Sequence, residues 1–400
     1  MNPEARLIKA VCRKIVHNNS DDIGSLVKSE DIDWRLLKIL SDYHGLGPLL
    51  YSQLKHYKES VPLELFQYLE TSYYYVLADN IKKDKEYKAL DLAFSRKDIG
   101  LLPIKGMALL NDVYGKSFSR LMADIDVLVK ENDITETSCV LESLGYRKYL
   151  SGLEETYWRN KQCHLTFIKK IAKSSIVLDV HWDLDLKRKG RYLLPRLWDR
   201  VRKIRIGAQA MTLPSPEDTF FSLVLHKRRF GYILSLKNVV DAGLLLGRYK
   251  NNLDWEYILT EARIGGMKAS LYFMLSQVRF LLGTDAPLIF MKKLDISYML
   301  KRSINRFIEK NTFLESNVVY YKSRYLSGHF LLYDSLQEPI EYILDIPKEQ
   351  FAKFYGLKPY DRKTDFLYRS RFFYMPFRFF CGLNRRAAPG LSKDRRLSEG

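Results

Sequence analysis

The stretch over residues 100–130 constrains the fold most, because apolar and polar segments follow one another there in an order that few folds accept. A short apolar run over residues 101–104 leads directly into Lys105-Gly106, and helical spacing of apolar residues follows. After a polar loop, Asp124-Ile125-Asp126 leads into a second apolar run over residues 127–129. The stretch therefore predicts a strand, a tight turn and a helix, followed by a second strand.

Two aspartates of the second predicted strand point to the same side of the sheet. Side chains alternate between faces along a strand, so Asp124 and Asp126 share one face and Ile125 takes the other. Two neighbouring carboxylates repel each other unless a cation lies between them. Because hard divalent cations prefer carboxylate oxygens, the pair predicts a site for Mg²⁺, with Mn²⁺ as the alternative.

The predicted turn before the helix is suited to binding phosphate. Gly106 would let backbone N–H groups at the helix N-terminus approach a triphosphate. Lys105 and Arg120 add positive charge, either as contacts to phosphate oxygens or as partners that offset Asp124 and Asp126 in the resting protein. These are the parts that transfer of a phosphoryl or nucleotidyl group requires.

The Asp-x-Asp pattern alone is a weak signal, since the chain contains it twice more. Asp31-Ile32-Asp33 precedes helical spacing and is predicted to cap a helix. Asp183-Leu184-Asp185 lies just after a predicted strand. Only Asp124 and Asp126 combine an apolar strand that follows them with a strand, glycine and helix that precede them.

The segments in this order resemble the uncharacterised bacterial nucleotidyltransferases of the DNA polymerase β-like superfamily. The likeness covers roughly residues 90–245, and the Lys-Gly pair is also similar to that of abortive-infection nucleotidyltransferase toxins. The resemblance rests on the following residues: Lys105-Gly106, Tyr114, Arg120, Asp124-Ile125-Asp126-Val127-Leu128-Val129, Gly145-Tyr146 and Leu178-Asp179-Val180-His181-Trp182.

The resemblance implies an α+β fold, in which a mixed sheet of the polymerase β-like type is flanked by N- and C-terminal helical regions. It implies that Asp124 and Asp126 bind two metal ions and that Asp179, on a later strand, is the third carboxylate. An NTP would be the substrate and Mg²⁺ the cofactor, and an NMP would pass to an acceptor hydroxyl with release of pyrophosphate. The chain departs from the superfamily at Lys105-Gly106, where Gly-Gly or Gly-Ser is usual.

Residues 164–168 and 176–182 predict two antiparallel strands joined by a polar turn. Asp179 and His181 share a face of the second strand, so both can point toward the metal pair. Asp179 would be a metal ligand or a general base, and His181 a contact to substrate or phosphate. The structural alternatives are that Asp179 pairs with an arginine and that the His181 imidazole makes its hydrogen bonds within the core.

Composition limits the classes of partner and location that the protein can have, but it does not single out one function. The net charge of +18 favours polyanionic partners: nucleotides, nucleic acid, anionic glycans or an anionic membrane surface. The four cysteines are too widely spaced for a Cys-x-x-Cys motif and are expected to be inert thiols. We find no signal peptide and no continuous apolar span, and therefore expect a cytoplasmic protein, with peripheral membrane contact left open.

Changes along the chain predict four parts: an N-terminal helical region over 1–90, the catalytic domain over 91–213, a helical domain over 214–345 and a basic aromatic tail over 346–400. Ser215, between two prolines, is predicted to cap the first helix of the third part. Asp241 lies in an apolar span there and either caps a network with His226 or contacts substrate. The basic run His226-Lys227-Arg228-Arg229 lies near the predicted C-terminus of that helix, where the helix dipole stabilises positive charge. The run could also bind an acceptor's phosphate.

The tail carries eleven Lys and Arg residues against four Asp and Glu from Lys358 onward, with phenylalanines between them. This pattern is typical of a segment that contacts a membrane surface or nucleic acid, and also of an aromatic strap packed on the helical domain. From Arg385 onward, composition predicts disorder.

The acceptor stays open among a sugar or other small molecule, a tRNA and a protein. Two rival functions also remain. One is a non-catalytic protein that keeps the fold and binds polyanions or a membrane surface. The other is a phosphotransferase that uses the same metal site.

Overall fold

A computed structural model describes residues 2–18, 23–29, 31–115, 119–150, 155–171, 174–185, 194–206, 209–230, 235–250, 252–284, 288–311, 328, 330–344, 347–358 and 361–373. Within these ranges the protein is a mixed α+β structure, in which a sheet is flanked by helices that precede and follow it in the chain. This architecture confirms the predicted fold class.

The central sheet has five strands in the order β1-β2-β5-β4-β3. Strands β2 and β5 run parallel, and the other neighbours are antiparallel. Two further strands, β6 and β7, form a separate hairpin. The strands are β1 (Leu102–Pro103), β2 (Ile125–Leu128), β3 (Arg147–Tyr149), β4 (His164–Ile171), β5 (Ser174–His181), β6 (Arg202–Ile206) and β7 (Gln209–Leu213).

The helices before and within the sheet region are α1 (Pro3–His17), α2 (Ile23–Ser29), α3 (Trp34–His44), α4 (Gly47–Leu54), α5 (Leu63–Ser95), α6 (Lys105–Asp112), α7 (Ile134–Ser143), α8 (Glu155–Lys161) and α9 (Leu194–Asp199). Those that follow are α10 (Pro216–Phe230), α11 (Leu236–Arg248), α12 (Trp255–Ile264), α13 (Lys268–Leu282), α14 (Leu288–Lys293), α15 (Tyr298–Asn311), α16 (Gln337–Leu344), α17 (Lys348–Tyr355) and α18 (Arg362–Arg369). Short 3₁₀ turns occupy Lys55–Ser60 and Glu131–Asp133.

Local signals in the sequence set several of these boundaries. The Asp33 carboxylate accepts a hydrogen bond from the backbone N–H of Leu36 and caps α3, which confirms the capping role predicted for it. Ser215 Oγ likewise accepts from the backbone N–H of Asp218 at the start of α10. Gly145 follows α7 with φ of 84°, a conformation that favours glycine.

One face of the central sheet is covered by apolar side chains. Ile125 and Val127 of β2 and Leu178 and Val180 of β5 belong to a buried cluster with residues from the C-terminal half of α5 and from α7. Because side chains alternate along a strand, Asp126, Asp179 and His181 project from the opposite face. The cluster thus fixes the strands and leaves the polar face available for chemistry.

The helices at the two ends of the chain share a second and larger apolar core. Leu7 and Ile8 of α1 are fully buried and belong to the same cluster as Leu245 of α11 and Phe273 of α13. The four-part division of the chain stays a prediction, but the first and third parts pack directly on each other.

None of the described helices is both long and apolar enough to cross a membrane. In the described part of the tail, Phe366, Phe372 and Phe373 are exposed, with 71%, 50% and 83% of their surface accessible. Phe377, Phe379 and the segment from Arg385 onward lie outside the described residues. Contact of the tail with a membrane or nucleic acid therefore stays a prediction.

Candidate active site

The strand register brings together polar residues that are far apart in the sequence. In the parallel pair of β2 and β5, Asp126 lies opposite Asp179. In the antiparallel pair of β4 and β5, Thr166 lies opposite Asp179 and His164 lies opposite His181. These side chains form a polar group on one face of three adjacent strands.

Lys105 reaches this group from the first residue of α6. Its Nζ donates a hydrogen bond to Asp126 Oδ1 at 2.6 Å and lies 3.2 Å from His181 Nε2. His181 Nε2 lies 2.9 Å from the same Asp126 oxygen. Lys105 thus makes the resting ion pair that sequence analysis considered, and its contact to phosphate stays a prediction.

The backbone of Lys105 is strained, with φ of 48° in the left-handed region. This conformation costs a side-chain-bearing residue about 1 kcal/mol, and such strain concentrates at functional sites. The chain tolerates this strain and has the Lys105 ammonium group beside Asp126.

The three aspartates have different electrostatic environments. Burial alone would raise the pKa of Asp126, but Lys105 and His181 outweigh it and hold that pKa well below its usual range. The pKa of Asp124 is raised by loss of hydration and by the Asp126 charge. Burial, followed by the charges of Asp124 and Asp126, raises the pKa of Asp179 to about 7.

Asp126, Asp179 and His181 form a group that can hold a metal ion, since each offers one ligand atom and these atoms lie within 4.8 Å of one another. Asp124 is not a member of that group, although its charge is close enough to raise the pKa of Asp179. Two carboxylate oxygens and one imidazole nitrogen suit a divalent cation, and they fit Mn²⁺ as well as Mg²⁺. A second group, Cys163, His164 and His181, meets the same distance criterion.

Asp179 is also contacted from β4. Thr166 Oγ1 donates to Asp179 Oδ1 at 2.6 Å, and His164 Nε2 lies 3.7 Å from Asp179 Oδ2. Sequence analysis did not assign Thr166 a role. The signal was available, because His164 and Thr166 share one face of β4 and an antiparallel hairpin aligns that face with Asp179.

Arg120 is held in a buried network by Asp241 of α11. Its Nε and Nη2 donate to the two carboxylate oxygens of Asp241 at 2.9 and 2.7 Å, and Tyr114 Oη donates to Asp241 Oδ1 at 2.8 Å. Burial alone would lower the pKa of Arg120, but Asp241 raises it above its usual range. Asp241 is therefore in a buried polar network, with Arg120 and Tyr114 as its partners, and a phosphate contact by Arg120 stays a prediction.

Gly106 lies directly over Arg120 and Met122. A Cβ at Gly106 would lie 2.7 Å from Arg120 Nη1 and 2.8 Å from Met122 Sδ, closer than van der Waals contact allows. Because Asp241 fixes the arginine, it cannot move aside at low cost. The glycine is needed for this packing, in addition to any contact with phosphate.

We expect Gly106→Ala to lower the free energy of unfolding by about 1–3 kcal/mol, because the new methyl group overpacks the contact with Arg120. Urea denaturation measures the change. Gly247→Ala is the matched control, since its Cβ would meet only the Val16 carbonyl at 3.9 Å and the residue lies in the last turn of α11, where alanine is tolerated. Equal stability of the two variants would contradict the packing explanation.

Side chains from two helices donate hydrogen bonds to the backbone carbonyls of the loop that precedes Asp124. Asn80 Nδ2 donates to the Arg120 carbonyl at 2.7 Å, and Lys237 Nζ donates to the Leu121 carbonyl at 2.9 Å. Lys83 Nζ donates to the next two carbonyls, those of residues 122 and 123, at 2.5 and 3.0 Å. Side chains from α5 and α11 thus fix four consecutive residues that have no regular secondary structure.

Asn80, Lys83 and Lys237 were not predicted from the sequence to lie at the site. On α5, Asn80 and Lys83 are buried at helical spacing between the apolar residues Val76 and Tyr87. Polar residues on the apolar stripe of a long helix are therefore the signal that identifies them. Loss of hydration, with Arg120 nearby, also lowers the pKa of Lys237 to about 8.

The phosphate-binding role considered for the basic run of α10 is wrong for Lys227 and Arg228. Both are buried, and Arg228 Nε donates to Asp185 Oδ2 at 3.0 Å. Lys227 Nζ donates to Gln277 Oε1. Asp185, from the third Asp-x-Asp copy, therefore neutralises a buried arginine, since an unpaired buried charge is costly.

None of the curated proteins matches this chain. The family described as an uncharacterised nucleotidyltransferase matches residues 30–283, well over half of the chain. The match includes Lys105, Asp124, Asp126, Asp179 and His181. The bacterial origin and the link to the polymerase β-like superfamily stay predictions. On the strength of this match, the chain belongs to the uncharacterised nucleotidyltransferase family.

Proposed function

We propose that this protein is a divalent-metal-dependent nucleotidyltransferase that moves an NMP from an NTP to an acceptor hydroxyl. The observation that carries the proposal is the convergence of Asp126, Asp179, His181 and Lys105 on one face of the sheet, with the charge of Asp124 acting on Asp179. The family match supports transferase chemistry.

The residues present fit a divalent cation. Mg²⁺ or Mn²⁺ held by Asp124, Asp126 and Asp179 would stabilise negative charge on the attacking and leaving oxygens. Lys105 already donates to Asp126. When a triphosphate binds, the Lys105 ammonium group would turn to the phosphate oxygens. Backbone N–H groups at the N-terminus of α6, near Gly106, would also donate hydrogen bonds to those oxygens.

The acceptor hydroxyl oxygen would attack the α-phosphorus in line, and the bond from that phosphorus to the pyrophosphate oxygen would break. The hydroxyl proton would pass to Asp179, which would act as the general base. Thr166 orients this carboxylate through its 2.6 Å hydrogen bond. His181 would contact the substrate beside Asp126.

The test is transfer of label from each of the four NTPs, labelled at the α-phosphate, to cell extract in the presence of Mg²⁺. The proposal predicts a labelled product and released pyrophosphate with the wild type, and neither with the Asp124→Asn/Asp126→Asn variant. Release of NDP would assign phosphoryl transfer instead. Absence of any NTP binding or turnover in the presence of the metal would favour the non-catalytic alternative.

Lys83 is expected to act on the metal site through the loop that it holds. Lys83→Met keeps most of the side-chain volume but removes the donor to the carbonyls of residues 122 and 123, which immediately precede Asp124. We expect the apparent affinity for the divalent cation to fall about 10- to 100-fold, as for other residues that orient metal ligands. The measurement is turnover against cation concentration.

Lys85→Met is the matched control, because Lys85 lies on the exposed side of the same helix. Thermal unfolding of both variants separates a local effect from loss of the fold. An unchanged cation dependence in a folded Lys83→Met protein would contradict the positioning role.

A further inference from the structure

Cys163, His164 and His181 offer one sulfur and two nitrogen atoms that lie within 4.8 Å of one another. All three residues are more than nine-tenths buried, with exposed fractions of 1%, 8% and 2%. Thiolate and imidazole are ligands for zinc and similar transition metals, whereas magnesium prefers oxygen. This donor set therefore differs in kind from the carboxylates beside it.

The backbone holds the three residues in position. His164 and His181 lie opposite each other in the antiparallel pair of β4 and β5, and their rings stack with centroids 4.9 Å apart at 20°. The backbone N–H of Trp182 donates to the Cys163 carbonyl at 3.0 Å, which ties the residue before β4 to the end of β5. Ligand atoms of a tetrahedral zinc site are about 3.5 Å apart, so side-chain rotations can complete the geometry.

Cys163 also differs from its neighbours in its surroundings. Leu165 and Phe167, two and four residues further on, belong to the apolar cluster beneath the sheet, whereas Cys163 belongs to neither apolar cluster of the described residues. Its sulfur is not in a disulfide. A buried thiol beside two imidazoles has the composition of a metal site rather than that of a filled core.

We propose that Cys163, His164 and His181 form a zinc-class transition-metal site, separate in chemistry from the carboxylate site but sharing His181 with it. On binding, the thiol loses its proton to solvent and the thiolate sulfur and two imidazole nitrogens bind the ion, with a fourth position left for water.

Because the two sites share His181, an ion bound at the Cys163 site also affects nucleotidyl transfer. This effect on transfer rests on the proposed function. His181 Nε2 lies 2.9 Å from Asp126 Oδ1, so a zinc-class ion that binds the imidazole lies close to Asp126. The ion also adds positive charge beside Asp126 and Asp179, which opposes binding of a second cation there. Zinc therefore inhibits magnesium-dependent transfer.

The test uses Co²⁺ as a spectroscopic substitute for zinc, added to the full chain after treatment with a chelator. We expect visible bands of a tetrahedral cobalt site together with a thiolate-to-cobalt charge-transfer band, both removed by excess Zn²⁺. Cys163→Ser loses the thiolate band and His164→Gln weakens cobalt binding at least about 10-fold. Cys139→Ser, which changes an exposed cysteine, keeps the wild-type spectrum.

A wild-type protein without the thiolate band, or a band that persists in folded Cys163→Ser, overturns the site. This result does not depend on catalysis, so it is distinct from failure of the proposed transferase activity. Where transfer is measured, Zn²⁺ should inhibit Cys163→Ser at least about 10-fold more weakly than wild type. Equal inhibition of the two proteins overturns the inhibitory role.

Discussion

Replacement of Asp126 by asparagine is expected to lower NTP turnover by about a thousand-fold or more, equivalent to roughly 4 kcal/mol of transition-state stabilisation. Asp126 is the carboxylate on which Lys105 and His181 converge, and 6% of the residue is exposed. Asparagine keeps the shape and one acceptor oxygen but loses the negative charge. The loss should therefore appear as a lower kcat and weaker cation dependence in a folded protein.

Asp31→Asn is the matched control, because Asp31 belongs to another Asp-x-Asp pattern but lies exposed beside the cap of α3. It should turn over as fast as the wild type. Turnover within about ten-fold of wild type for Asp126→Asn would contradict the assignment of this carboxylate to the reaction.

Asp179→Asn is expected to make the metal-free protein more stable at neutral pH, by on the order of 1–3 kcal/mol, while stability at pH 4 stays unchanged. The folded protein holds the pKa of Asp179 near 7, above the ordinary value of about 4, because of burial and of the charges of Asp124 and Asp126. The folded state then binds more protons than the unfolded state between these two values. The stability of the wild type consequently falls as the pH rises from about 4 to 7, and asparagine removes this fall.

Urea denaturation in the presence of a chelator, at pH values across this window, measures the effect. Asp199→Asn, which changes an exposed aspartate at the end of α9, is the control and should follow the wild type. Addition of Mg²⁺ should stabilise the wild type more at pH 7 than at pH 5, because protons compete with the cation at low pH. A variant that follows the wild type at every pH would contradict a pKa of Asp179 raised by burial and by the charges of Asp124 and Asp126.

The sequence predicted the fold well where the pattern was local. The strand, turn and helix around Lys105, the hairpin of β4 and β5 and the caps at Asp33 and Ser215 all depend on spacing over a few residues. The structure has each of them, and the family match confirms the predicted uncharacterised nucleotidyltransferase family. Strand alternation also placed Asp179 and His181 on one face, where the register brings both to Asp126.

The contacts that depend on tertiary packing were not predicted. Lys83 and Lys237 hold the loop before Asp124 from two helices that are far apart in the sequence, so no local spacing connects them. The burial of Arg228 against Asp185 likewise follows from how α10 packs, and a basic run at a helix end gives no sign of it. The closeness of Cys163 to His181 was likewise not predicted, because His181 lies on the neighbouring strand and a spacing rule for cysteines does not detect it.

Binding of Mn²⁺ in the presence of an NTP tests the central claim most directly, because the electron paramagnetic resonance signal of free Mn²⁺ falls as the ion becomes bound. We expect the wild type to lower the free-Mn²⁺ signal further than the same concentration of NTP alone does, Mg²⁺ to compete, and Asp124→Asn/Asp126→Asn to leave the signal at the level of NTP alone. Equal binding by the wild type and the double variant, or no binding by either, would contradict the assignment of the carboxylates to a metal–nucleotide site.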